Sequence, residues 1–445
     1  MTPHDFLRWY TFDERVLRGT YFPSSPLDVE EGDRVGVVLL DLGGPQTLDD
    51  VKPFLYNRYM DPARLSLPVG HRLRHWLATA AASVRSSSLK EEYELIGGGS
   101  PLTRLIREQS DSLERHLTEH YGEPTGVDFR TYVATRYWHP FAEEAGAQME
   151  EEGVDKVVLL PLHPQYAKAT TGSAFAYWKA LEETGGIPSW PTTTVFEYAT
   201  NPKFVRALSE RVDEGLQRFS REQRSEVQLV FTARGTSAQD VSEWKDPYCC
   251  LVHSTVEEVM RHRGYDRPYQ TTFQETSPLQ TGLSPLTTSA LGELAENGST
   301  AVLVVPVSVV ADRLETNHTL DIRVREDAEI AGIHHFEVTS ALNTHPLFVE
   351  ALGEATVAQL GMPVDVNQLR VGGDGLSQDY PLRPLDDLPR HEAQPDCPHC
   401  DCNGEARQWT AGDNAPETRV VESGSSDTEG PSTDARPSSA SEEAE

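Results

Sequence analysis

Several short segments of the chain gather side chains that can do chemistry. Asp41-Leu42-Gly43-Gly44-Pro45 joins a carboxylate to two glycines, which let backbone approach a bound molecule, and to a proline that can start a helix. His163-Pro164-Gln165-Tyr166, followed by Thr170-Thr171-Gly172-Ser173, sets an imidazole and a phenol beside hydroxyls. Arg136-Tyr137-Trp138-His139-Pro140 places aromatic, cationic and imidazole groups together. Asp312-Arg313-Leu314-Glu315-Thr316-Asn317-His318 offers two carboxylates; on a helix Asp312, Glu315 and Thr319 share one face with His318 beside them. Cys397-Pro398-His399-Cys400-Asp401-Cys402 brings three thiols within reach of one metal ion. The triplet Gly97-Gly98-Gly99 closes into a Ser100-Pro101 helix start. Taken singly, each segment also reads as an ordinary loop or cap. Neither a GxGxxG nor a Walker pattern is present, so a nucleotide site has little support.

These segments follow apolar runs that must position them. The runs are Val35–Leu42, Val157–Leu162, Val227–Thr232 and Ala301–Val307, with weaker strand candidates at Tyr132–Thr135 and Thr194–Tyr198. Continuous Val/Leu runs of this length suit parallel strands buried on both faces. Helical patterns such as Pro202–Phe219 and Pro247–Arg261 lie between them. Strands alternating with helices imply an α/β fold of one or two doubly wound sheets. In such sheets ligands bind outside the carboxyl ends of the strands, where the segments above stand. The runs could also form two similar halves.

Composition excludes other classes. The chain has 445 residues, 70 Asp+Glu against 39 Lys+Arg, and a formal charge of −31. That length suits two domains. Binding to nucleic acid would need a basic face, and a membrane span about 18 unbroken apolar residues; neither is expected. The first residues lack a basic segment followed by an apolar core, so no secretory signal is expected and a cytoplasmic protein is. The cations are lopsided, seven Lys against 32 Arg, a balance that fits solubility through net charge at high salt or simply an acidic protein. Five cysteines, three of them within six residues, make no disulfide scaffold. The divisions expected are an extension at 1–34, α/β domains at 35–200 and 201–370, a cysteine-bearing segment at 371–410 and a disordered acidic tail at 411–445.

Together the strings GVVLLDLGGPQTLDDVKPFLYNRYMDP, YELIGGGSPLTRLIREQ, RYWHPFAEEA, LPLHPQYAKATTGSA and VVADRLETNHTLDI resemble the ferrochelatase family, in the same order and at the expected spacing, over roughly residues 35–360. The resemblance implies two Rossmann-like, chelatase-type domains whose parallel sheets face a porphyrin cleft. It implies insertion of Fe²⁺, as substrate, into protoporphyrin IX or coproporphyrin III. That reaction removes two pyrrole protons and delivers a divalent cation. It needs a base near the ring centre, a carboxylate path, and apolar walls for a flat ring. Glu315 matches the family's active-site glutamate. Leu42, Gly43, Gly44, Ser100 and Tyr166 match porphyrin-contacting positions, and Arg85 a basic position near the propionates.

Some positions depart from the family. Arg234 stands where the strand-end histidine is expected, flanked correctly by the Val-rich run and Asp246-Pro247-Tyr248. A guanidinium keeps its proton and offers no lone pair, so it can be neither base nor iron ligand, and it repels Fe²⁺. Arg313 replaces a second histidine, Thr319 a second glutamate, and Glu275-Thr276 a Ser-Arg pair. These departures are expected to converge on one cavity. Two readings follow: an enzyme whose base has moved to His163 or His318, or a degenerate relative that binds porphyrin or haem in a regulatory or carrier role. Some members also carry a [2Fe–2S] cluster on C-terminal cysteines. Cys397, Cys400 and Cys402 resemble that set, with Cys249, Cys250 or His399 left to supply the fourth bond, because the usual distant position falls on Lys168. Structural zinc or uncoordinated thiols are the alternatives. The Cys249-Cys250 pair is expected on a helix with one residue buried and one half-exposed. The oligomeric state is not legible.

Overall fold

The computed structural model describes residues 1–362, apart from 12–14, 17–18, 20, 23–25, 243, 245 and 277–280. The cysteines at 397, 400 and 402 and the acidic tail lie outside the described residues. Two parallel four-stranded sheets form the body. The first contains β1 (Arg34–Asp41), β2 (Asp128–Thr135), β3 (Lys156–Pro161) and β4 (Thr192–Thr194), in the order β2-β1-β3-β4. The second contains β5 (Gln228–Ala233), β6 (Tyr269–Phe273), β7 (Ala301–Pro306) and β8 (His335–Val338), in the order β6-β5-β7-β8. Each half therefore repeats the same order around its first strand. Val35 opposes Phe129 on one side of β1 and Lys156 on the other; Leu229 opposes Tyr269 and Leu303 in the same way.

The apolar runs become the central strands, as a two-faced burial requires. The Thr194–Tyr198 candidate shrinks to an edge strand that shares only Thr194 with it. Two strands were not expected, β6 and β8. Thr271 and Thr272 make β6 look polar, yet both are buried, and Thr272 donates to the Phe231 carbonyl at 3.0 Å. A buried hydroxyl with a partner is tolerated in a core strand.

Alternate residues of each strand point to opposite faces. Val35, Val37 and Leu39 of β1 share one core with Leu229 and Phe231 of β5 and Leu303 and Val305 of β7. The opposite faces are covered separately, β1's Val38 and Leu40 by the Ser173–Thr184 helix, and β7's Val302 and Val304 by Leu320, Val324 and Ala328. Between the sheets lie helices from both halves, Leu102–Leu117, Pro202–Leu216, Tyr248–His262 and Pro346–Ala358. The Pro346–Ala358 helix packs against first-half residues Leu105 and Leu113, and Gln109 donates to the carbonyls of Val310 and Asn343 at 3.1 and 2.8 Å. The two halves thus share one core.

The Pro3–Trp9 helix of the N-terminal extension docks on the body. Thr2 caps the Pro3–Trp9 helix through a reciprocal bond with Asp5. Phe6 is buried against Tyr177, and the Arg136 guanidinium lies over both rings at 4.5 and 4.1 Å.

Candidate active site

In a sheet ordered 2-1-3-4 the topological switch lies between the first and third strands. Beyond β1 stand Asp41 to Gly44, and beyond β3 stands His163. Beyond β5 stands Arg234, and beyond β7 the Asp312–His318 segment. The switch points of both halves meet, because Arg313 reaches Asp41 across 272 positions of sequence at 3.0 Å.

The turn after β1 is fixed by its own acid. Asp41 Oδ1 accepts from the backbone of Leu42 at 2.6 Å and Gly43 at 3.2 Å. Gly43 has φ +76°, and a Cβ there would stand 2.7 Å from Thr135 Oγ1, so glycine is required twice over. Gly44 leaves room for Ser100, whose hydroxyl would lie 2.7 Å from a Cβ at that position. The glycine triplet docks on the same turn: Ser100 N–H donates to the Pro45 carbonyl at 2.8 Å. Leu42, expected at the porphyrin, belongs to an apolar group with Phe54, Tyr93 and Tyr137, against which Tyr59, Ile96, Trp138 and Leu314 are packed and only partly covered.

Glu315 opens a helical segment whose Glu315–Val324 turns are wider than α-helical. Asp312 precedes it and does not share its face; its carboxylate accepts from Ala341 N–H and Asn343 Nδ2, tying down the loop. Arg234 meets Glu315, with a guanidinium nitrogen 2.8 Å from Oε1. Arg234 is itself fixed: its N–H donates to Ser308 Oγ at 2.8 Å, and its carbonyl accepts from the Tyr248 hydroxyl at 2.9 Å. Burial pushes the Glu315 carboxyl up, but Arg234, Arg313 and Arg58 outweigh it and hold the carboxyl below the usual range. Asp41 behaves alike: burial pushes it up, and Arg313 and the neighbouring His163 more than offset this.

His163 is buried, and its Nε2 has no hydrogen-bond partner among the described residues. Burial pushes this imidazole down to about 4; Asp41 opposes that shift, and Arg313 and Arg234 reinforce it. The ring is therefore neutral at physiological pH, with one nitrogen able to accept a proton. His318 also has a buried ring nitrogen, Nδ1, with no partner among the described residues.

Sequence reasoning missed Arg58 and Arg64. Both are half-buried and bracket the end of the Val51–Met60 helix. Burial lowers both, Arg64 to about 9; the Arg234 charge lowers both further, and Arg58 adds to the effect on Arg64. A guanidinium still keeps its proton at neutral pH, so the result is a standing positive potential beside Glu315. The signal lay in the two arginines around Met60-Asp61-Pro62. Tyr93 was missed too; burial and the Glu315 charge raise its hydroxyl.

Other expected residues are placed elsewhere. Tyr166 is fully buried, its ring stacked on Phe196 at 4.0 Å and its hydroxyl donating to the Val16 carbonyl; it packs the N-terminal extension and does not face the cleft. Arg85 is turned to Ser88 and to Glu92. Arg136 is drawn towards Ser173 and Asp61, and His139 towards Glu144, so the expected cluster is dispersed. Glu275 is exposed and pairs with Arg323 at 3.2 Å, so the four departures do not all meet in one cavity. Cys249 and Cys250 are both buried in the Tyr248–His262 helix, with neither half-exposed. Lys168 is buried against Asp240.

No described helix is long and apolar enough to cross a membrane. The ferrochelatase family profile matches residues 34–360. A ferrochelatase from Cyanothece sp. is 36% identical over 331 residues, covering 74% of this chain and 84% of its own. One from Gloeobacter violaceus is 36% identical over 332 residues, covering 74% and 98%. Among solved structures, SirB from Bacillus subtilis with Fe3+ aligns at a TM-score of 0.44 and 11% identity, covering 74% of this chain and 98% of its own. With its two four-stranded sheets joined through Asp41 and Arg313, the chain belongs to the ferrochelatase family.

Proposed function

We propose that this enzyme inserts Fe²⁺ into a porphyrin bound between the two switch points, with His163 taking pyrrole protons and Glu315 passing metal or protons. The observation that carries this reading is the unpartnered Nε2 of His163 in the same charged cluster as Glu315. Similarity to enzymes of this name along the whole body favours catalysis over a porphyrin- or haem-carrying role.

The chemistry divides among the residues present. Leu42, Tyr93, Tyr59, Ile96, Trp138 and Leu314 offer an apolar wall to the macrocycle. Gly43, Gly44 and Ser100 shape the turn beside it. Arg58 and Arg64 supply positive charge to which porphyrin carboxylates are attracted. Arg234 latches Glu315 and keeps it ionised. It also repels Fe²⁺, so the metal must approach along the Glu315 carboxylate, whose charge offsets that repulsion. Once Fe²⁺ sits on the pyrrole nitrogens, the remaining N–H protons become acidic, and a weakly basic imidazole suffices to accept them. We place the reaction in the cytoplasm, a reading supported by the acidic composition. A [2Fe–2S] cluster on Cys397, Cys400 and Cys402 rests on the clustering and position of these cysteines in the sequence alone.

The test is anaerobic metallation of protoporphyrin and coproporphyrin, followed by absorbance. Wild type is expected to metallate one of them. His163→Asn and Glu315→Gln are each expected to slow it by about 10²–10⁴-fold, the usual worth of a positioned acid–base group. Arg234→His, which restores a lone pair at the strand end, is expected to make the enzyme tolerant of His163→Asn. A wild type that binds porphyrin without metallating it overturns the proposal. An undiminished His163→Asn rate removes His163 as the base.

A further inference from the structure

We propose a second metal site, outside the cleft, in which His4 Nε2 and His75 Nδ1 hold a divalent transition-metal ion with the Tyr56 hydroxyl at a third position. These atoms come from three separate elements: the Pro3–Trp9, His71–Glu94 and Val51–Met60 helices. They form a nearly equilateral triangle. His4 Nε2 lies 3.3 Å from His75 Nδ1, Tyr56 Oη 3.0 Å from His75 Nδ1, and Tyr56 Oη 3.4 Å from His4 Nε2. Ligands bound at about 2.0–2.1 Å in a tetrahedral site stand about 3.3–3.4 Å apart. Two edges of the empty triangle therefore already have the length that one ion imposes, and the Tyr56–His75 edge is shorter by a few tenths of an ångström.

A third imidazole is at hand. His71 lies one helical turn before His75, and its ring stands edge-on to His4 with centroids 6.2 Å apart. Two histidines four residues apart on one helix face can share a metal. Among the described residues no three His, Cys, Asp or Glu side chains stand as a finished metal site. Two imidazoles and a phenol are gathered here, and a side-chain rotation of exposed His71 would add a third imidazole. Three imidazoles suit zinc, nickel, copper or iron(II) and disfavour magnesium or calcium. Asp5, the nearest carboxylate in sequence, is engaged by Thr2 and lies 3.7 Å from Arg8, so it competes little for the ion.

Such an ion would staple the N-terminal helix to the two helices that carry Arg58 and Tyr93. The inference does not depend on the porphyrin reading.

The test uses the full chain with Cys397, Cys400 and Cys402 changed to Ser, which removes the competing thiolates. The chelator-stripped protein is titrated with Zn²⁺ by calorimetry and with Co²⁺ by visible absorbance. The parent is expected to bind one ion more than the His4→Ala/His75→Ala double variant, and that ion is expected to raise its melting temperature. His71→Ala and Tyr56→Phe are each expected to weaken this ion by about tenfold or more. His71→Ala, at an exposed position, is expected to leave the metal-free melting temperature unchanged, which separates ligation from a folding defect. Equal stoichiometry and affinity in parent and double variant overturn the proposal.

Discussion

Asp41–Arg313 and Arg234–Glu315 are the same pair of functional groups, and Asp41 and Arg234 end equivalent strands of the two halves. Their surroundings differ. The Asp41–Arg313 side chains are 0% and 6% exposed, and the pair ties one half to the other. The Arg234–Glu315 side chains are 17% and 25% exposed, and the pair stays within the second half. In the first, water is gone, and each charge depends on its partner and on backbone donors. In the second, solvent shares the field, and on the proposed reading the pair sets charge at the reaction site more than it holds the fold. On that reading one half uses its strand-end charge for assembly, the other for chemistry.

That contrast can be broken by substitution. Arg313→Met strands the Asp41 carboxylate without its cation. It is expected to cost about 3–5 kcal/mol of stability, as for other buried pairs missing one partner, read as a shifted urea midpoint. A loss below about 1 kcal/mol would show that Asp41 has other support.

The next effect concerns acid. His163 is neutral in the folded state down to about pH 4, whereas an unfolded histidine titrates near 6.5. The lowered value means that stability is fully present above the unfolded value. It is then lost as pH falls from about 6.5 towards 4, because the unfolded chain binds a proton that the folded one refuses. The expected loss is about 2–3 kcal/mol over that window, and it should be smaller in His163→Asn. Equal acid profiles for the two proteins would mean that the imidazole is not held neutral.

The smallest effect sharpens the other side of the comparison. Arg234→Gln is expected to change stability by less than about 1 kcal/mol, because solvent reaches and screens this pair. It should nonetheless raise the Glu315 carboxyl, which loses its first cation, and move the acid limb of the rate profile to higher pH. A large stability loss without that move would make Arg234 a structural residue.

Much of this arrangement was legible. The central strands announced themselves as Val/Leu runs, and Glu315, Arg234 and His163 stood just beyond them, where parallel sheets put ligands. What was not legible was pairing at a distance. Nothing local links Asp41 to Arg313. The Thr272 hydroxyl of β6 finds its partners on β5 and on the Thr287–Glu296 helix, which no local pattern reveals. Tyr166 read as a porphyrin contact because its motif was intact, whereas the structure stacks it on Phe196 under a chain segment that the motif does not include.

The shared core also has a consequence for how the chain is made. Phe348, Ala351, Leu352 and Ala355 of the Pro346–Ala358 helix fill the same interior as Leu105 and Leu113, and Gly353 leaves space for the His116 ring. On the ribosome the first sheet is complete once β4 has emerged, yet its helical layer still lacks its last neighbour. At about 5–20 residues per second that neighbour follows roughly 10–30 s later. During this interval Leu105 and Leu113 lack the cover of that helix, and the nascent first half is the stage at which a chaperone is expected to find most to bind.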